Sequence, residues 1–105
     1  MATYHLRRYF LASDDATIAY LDIWRAHVAS LAAQNIATEG FFTVAERPRE
    51  IVALLRFAEG ATPEQAICDY MASPGFTQDM VGFDMTQIKH VEVQTLSPGV
   101  GSPLT

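Results

Sequence analysis

Apolar positions recur along this chain with two periods. Short apolar runs bounded by Gly, Pro or polar residues read as strands, whereas apolar residues three and four apart read as one face of a helix. Residues 3–11 make the first strand. Its faces are Tyr4/Leu6/Arg8/Phe10, expected to be the core side, and Thr3/His5/Arg7/Tyr9. Ser13-Asp14-Asp15 then supplies N-cap candidates, with acidic charge where a helix start favours it. Residues 16–34 contain no Gly or Pro, and Leu21, Trp24, Val28 and Leu31 form the expected buried stripe, flanked by Tyr20 and His27. Asp22, Arg25 and Ala29 take the exposed side, and Asn35 ends the helix.

A second strand is predicted over residues 40–44 and a third over 51–57, joined by the short charged turn Glu46-Arg47-Pro48-Arg49 as an antiparallel hairpin. The third strand, Ile51-Val52-Ala53-Leu54-Leu55-Arg56-Phe57, is largely apolar on both faces, so its sheet should be covered on both sides. Thr62-Pro63-Glu64-Gln65 is a helix start, with Thr62 as cap, Pro63 in the first position and Gln65 completing a capping box. Ala66, Ile67, Tyr70 and Met71 form that helix's buried stripe. Ser73-Pro74-Gly75 breaks it, and residues 76–81 add a further turn or two. Residues 88–96 are the last strand, and the Pro/Gly/Ser-rich residues 98–105 are expected to be a flexible tail beyond a single domain over residues 1–97.

The order strand-helix-strand-strand-helix-strand is the split βαβ, or ferredoxin-like, α+β pattern: a four-stranded antiparallel sheet with both helices on one face. A weak internal repeat supports it, because Arg8-Tyr9 stands as far before Ile18-Ala19 as Arg56-Phe57 stands before Ala66-Ile67. The other sheet face is left bare and apolar, and a two-fold homodimer joined sheet to sheet is the simplest cover. Composition agrees. Half of the 105 residues are hydrophobic, a surplus that calls for a partner surface. The formal charge of −5 and a single lysine argue against nucleic acid. Cys68 stands alone, so no disulfide or paired-cysteine zinc site can form within the chain. No stretch has the length of a membrane span, and no charged segment followed by an apolar run opens the chain. A cytoplasmic protein is the expectation.

The residues Tyr4-His5-Leu6-Arg7-Arg8-Tyr9, Trp24-Arg25-Ala26-His27, the third strand, Pro63 and Ser73-Pro74-Gly75-Phe76 carry a resemblance across residues 3–97. The chain resembles the dimeric α+β barrel superfamily, and within it the NIPSNAP-like proteins. The family pattern has a tryptophan in the third strand where this chain has Leu or Arg. The resemblance implies a ferredoxin-like subunit pairing into an α+β barrel, with a ligand pocket between helices and sheet. Superfamily members include cofactor-independent monooxygenases, polyketide cyclases and haem-degrading enzymes.

No metal-ligand spacing, phosphate loop or nucleophile motif is present, so neither metal nor cofactor is expected. Tyr70, in Ile67-Cys68-Asp69-Tyr70, is the leading catalytic candidate, because this stretch is similar to the polyketide-cyclase helix that supplies a tyrosine acid. The histidine that follows in those enzymes is missing between Met71 and Met80. His27, or else His5, would have to serve as base. Against this stands the ordinary account of a core tyrosine and a hydrogen-bonded core histidine. Arg7 and Arg56 are candidate carboxylate clamps, and Trp24, Met71 and Phe76 candidate pocket lining. Two functions follow. One is a NIPSNAP-like protein binding a small hydrophobic or aromatic molecule; the other is a cofactor-independent enzyme, polyketide cyclase- or monooxygenase-like, acting on a small aromatic substrate. The first is slightly preferred. An enclosed cavity holding both Tyr70 and a histidine would favour the second.

Overall fold

The computed structural model describes residues 2–105. The elements run β1 (Thr3–Leu11), α1 (Asp14–Ala32), β2 (Ile36–Val44), β3 (Arg47–Phe57), α2 (Pro63–Met71), α3 (Pro74–Asp79), a 3₁₀ turn (Met85–Gln87) and β4 (Ile88–Leu96). The strands form one antiparallel sheet in the order β2-β3-β1-β4, the ferredoxin-like arrangement. No helix is long and apolar enough to cross a membrane among the described residues.

Pairing register decides which residues face the helices. Tyr9 lies opposite Ile51 and His5 opposite Leu55, and Ile51, Ala53, Leu55 and Phe57 are all buried in the core. The helix side of β1 is therefore His5/Arg7/Tyr9/Leu11, not Tyr4/Leu6/Arg8/Phe10. The even-numbered set lies on the helix-free face with Val52, Leu54 and Arg56. His5 is thus under the helices rather than on the bare face, while His90, opposite Phe10, is on it. Arg7 and Tyr9 of this inner face line a cavity beneath the helices, while His5 is buried against Phe57.

Ser13 caps α1 as its sequence suggests, its Oγ accepting from Ala16 N at 3.0 Å. The buried stripe is Ala16, Thr17, Tyr20, Trp24, His27 and Leu31. Tyr20 and His27 are central to it rather than flanking, and Val28 is 39 % exposed. Asn35 ends the approach to β2 in the left-handed region at φ 62°. The strand that follows begins four residues earlier than its apolar run suggests, at Ile36, because Ile36 pairs with Phe57. The hairpin turns at Glu46 (φ 65°), so Arg47 and Pro48 already belong to β3. Thr62 does precede α2, but its side chain makes no capping bond, and Gln65 reaches forward to Asp69 instead (2.8 Å).

Candidate functional site

Three helical segments build the site. On α1, His27 and Ser30 are three residues apart and share one face. Tyr70 lies near the end of α2, and the Ser73-Pro74-Gly75 break turns the chain so that α3 brings Asp79 back toward α1. Gly75 permits the approach, because a Cβ there would stand only 3.0 Å from Ser30 Cβ. Ser73 fixes the break. Its hydroxyl donates to Tyr70 O at 2.6 Å and accepts from Phe76 N.

Four side chains meet at this junction. His27 Nδ1 lies 2.9 Å from Asp79 Oδ2 and 2.8 Å from the Tyr70 hydroxyl. Ser30 Oγ lies 2.8 Å from the Tyr70 hydroxyl and donates to Asp79 Oδ2. A carboxylate only accepts, so Nδ1 must carry the imidazole proton. Ser30 gives its one hydrogen to the charged acceptor in preference to His27 O at 3.3 Å. Tyr70 then donates to Ser30. Every donor in the set has an acceptor, and His27 Nε2 is left as a lone pair with no partner among the described residues.

Protonation states follow from burial. Burial pushes His27 below its ordinary 6.5, against the upward pull of its hydrogen bond and charge interaction with Asp79, so the ring is neutral at pH 7. Burial also raises the Tyr70 hydroxyl to about 12, keeping it protonated. Burial would lift Asp79 too, but the hydrogen bonds from Ser30 and His27 prevail and hold it below the usual carboxylate range. Phe76 stacks on His27 (5.7 Å between centroids), and Trp24 meets its edge at 5.2 Å.

His27 and Tyr70 line a cavity of about 280 Å³ between helices and sheet. Arg7, Trp24, Met71 and Phe76 line it as well. Arg7 Nε donates to the Tyr9 hydroxyl at 2.8 Å. Arg56 is elsewhere: it points from the helix-free face and donates to Thr105 O at 3.0 Å. His5 is also outside the cavity. It is buried edge-on to Phe57 at 4.6 Å, its two ring nitrogens unpartnered, and burial followed by repulsion from Arg7 lowers its pKa. Asp79 and Ser30 were not among the residues singled out from the sequence. The signal for Ser30 was its i, i+3 spacing from His27; nothing local marked Asp79. No group of three or more His, Cys, Asp or Glu with metal-holding geometry occurs among the described residues.

No protein-family model matches the chain, and neither does any curated protein. Solved structures do. A NIPSNAP family protein with unknown function from Agrobacterium tumefaciens is 22 % identical, with TM-score 0.78 over 99 % of this chain and 94 % of that one. A NIPSNAP-like domain protein from Burkholderia xenovorans is 16 % identical, with TM-score 0.77 over 97 % and 89 %. SnoaB, a cofactor-independent oxygenase from Streptomyces nogalater, is 13 % identical, with TM-score 0.65 over 92 % of each chain. At such identities the likeness speaks to fold. The chain is a ferredoxin-like α+β protein. Its structural neighbours are NIPSNAP-like proteins and relatives of the antibiotic-biosynthesis monooxygenase type.

Proposed function

We propose that this protein is a NIPSNAP-like member of its fold class that binds a small, mainly apolar aromatic molecule and moves a proton on it. The observation that carries this reading is the unpartnered His27 Nε2 on a ring whose other nitrogen is tied to Asp79, in the wall of a mainly apolar, partly open cavity. Such a ring is a neutral base near pH 7, held in one tautomer. Nε2 takes a proton from an activated C–H or O–H of the ligand, and the imidazolium returns it at another atom of the same molecule, as in an isomerisation or cyclisation. The Asp79 carboxylate offsets the positive charge in between. Asp79 and Ser30 are positioning residues. Tyr70 belongs with them, since both of its contacts lie inside the network and leave its proton on Ser30 rather than on a ligand. Size fits the reading: an apolar cavity of roughly 150 Å³ can hold benzene, so this one suits one or two rings.

The test is deuterium uptake at the carbons beside the carbonyl of 2-tetralone in D₂O, followed by NMR. Wild type should accelerate it and His27→Gln should not, with binding retained. Binding without acceleration would leave a ligand-binding protein and remove the proton transfer. Absence of binding would remove both.

The helix-free face supports self-association. Leu6, Phe10, Val52 and Leu54 are only half-buried there and Phe42 is 55 % exposed, a patch that a second copy would bury. We expect a dimer of twice 11.6 kDa by light scattering; a mass of one chain at micromolar concentration would refute it. Such a protein fits a cytoplasmic setting.

A further inference from the structure

Among the described residues, Arg7 is the one formally charged residue lining the cavity. It sits on the inner face of β1, half-buried, between Ala53 and Val93 on the neighbouring strands, so no strand neighbour on that row offers it an acid. Among the described residues it has no carboxylate partner. Its Nε is taken by the Tyr9 hydroxyl, whose ring lies 5.7 Å beneath the guanidinium. These contacts fix the plane of the guanidinium and leave both terminal nitrogens free, the edge that pairs bidentately with a carboxylate.

The Trp24 ring shares this wall. Trp24 is 2 % exposed, and its Nε1 has no acceptor. Its indole N–H is buried beside the Tyr20 hydroxyl and is not open to the cavity. Of the two, Arg7 alone presents unused donors to the cavity, where, among the described residues, His27 Nε2 is the unused nitrogen acceptor. A neutral hydrocarbon would leave the guanidinium unsatisfied and would bury a cation without an anion.

We infer that the ligand is an aromatic or alicyclic carboxylate, its carboxylate held by the Arg7 guanidinium fork and its apolar body lying against Trp24 and Phe76. This rests on the cavity being a ligand site, as proposed above, and adds the charge of what it takes. Arg7 acts in binding and orientation, placing the molecule so that an acidic position faces His27.

The experiment is isothermal titration of the full chain with 2-naphthoate and with 2-naphthamide, which keeps shape and carbonyl but not the charge. Wild type should bind the acid at least about tenfold more tightly, the effect of a hydrogen bond to a charged group. Arg7→Met should remove that difference and leave the amide within about threefold, and Arg7→Lys should restore part of it. Equal affinity of wild type for acid and amide would overturn the carboxylate inference while leaving the cavity as a ligand site, and this comparison requires no variant to fold. Binding of neither compound would overturn the inference and the site together. Displacement of 2-naphthoate by inorganic phosphate alone would show a general anion site and would also overturn it.

Discussion

The first helix runs unbroken for nineteen residues and lies across the sheet with six buried side chains, whereas the second stops after nine with Tyr70 as its single buried residue. The two are counterparts in a repeated βαβ plan, and the difference between them makes the site. Had α2 continued past Met71, it would have run on along its own axis and left Asp79 away from α1. Pro74 instead ends it, because the ring has no N–H to continue the ladder and disfavours helical conformation at Ser73. The shortened cover leaves a cavity, and the redirected α3 delivers a carboxylate to His27. One helix supplies stability, the other an opening and a charge.

Breaking the stable half should cost most. Trp24→Ala deletes a core indole touched by Tyr9, Tyr20, His27 and Phe41, and should cost about 3–5 kcal/mol by chemical denaturation. A melting temperature within a few degrees of wild type would contradict the description of α1. On the other half, Asp79→Asn removes the charged acceptor of two hydrogen bonds, and about 1–3 kcal/mol should be lost. The sharper readout is the ¹⁵N spectrum of His27. Wild type should show the proton on Nδ1, and Asp79→Asn should shift population toward Nε2; an unchanged spectrum would show that Asp79 does not set the tautomer.

Acid should weaken the whole fold. His27 and His5 both titrate below 6.5 when folded, so the unfolded chain binds more protons than the native one as pH falls. Stability contributed by the neutral rings is fully present above pH 6.5 and declines below it. The melting temperature should therefore drop between pH 7 and pH 5. His5→Leu should flatten part of that slope at little cost near pH 7, since its two ring nitrogens have no partner to lose. A steeper slope in the variant would contradict this account.

The smallest effect compares the two helix starts. Ser13→Ala should cost about 1 kcal/mol, the usual value of a side-chain cap. Thr62→Ala should stay within about 0.5 kcal/mol, because Thr62 makes no capping bond. Equal losses would erase the distinction.

Much of this architecture was legible from apolar periodicity, Pro63, and the Ser73-Pro74-Gly75 break, which place each helix and strand in order. The inner face of β1 was not. Tyr4, Leu6 and Phe10 look more like a core than His5, Arg7 and Tyr9, and only pairing with Ile51 and Leu55 reveals that the polar set faces inward. The same holds for the site. Tyr70, His27, Arg7 and Trp24 stand out as residue types, but Asp79 lies fifty-two positions from His27 and meets it only through the turn after α2. Arg56 resembles Arg7 in type and strand setting, yet one lies on each face, a parity that composition does not encode.

The stapled joint between α2 and α3 also governs how fast anything could enter. Ser73 is bonded on both sides and buried, so the joint is a fixed corner and offers no swinging gate. Passage falls instead to Met71 and Met85, which line the cavity and are about half exposed, at 48 % and 47 %. Unbranched thioether side chains change rotamer in picoseconds to nanoseconds, far faster than helices shift. Association should accordingly be limited by diffusion and orientation, and residence time by the contacts within the cavity, with no slow opening step between them.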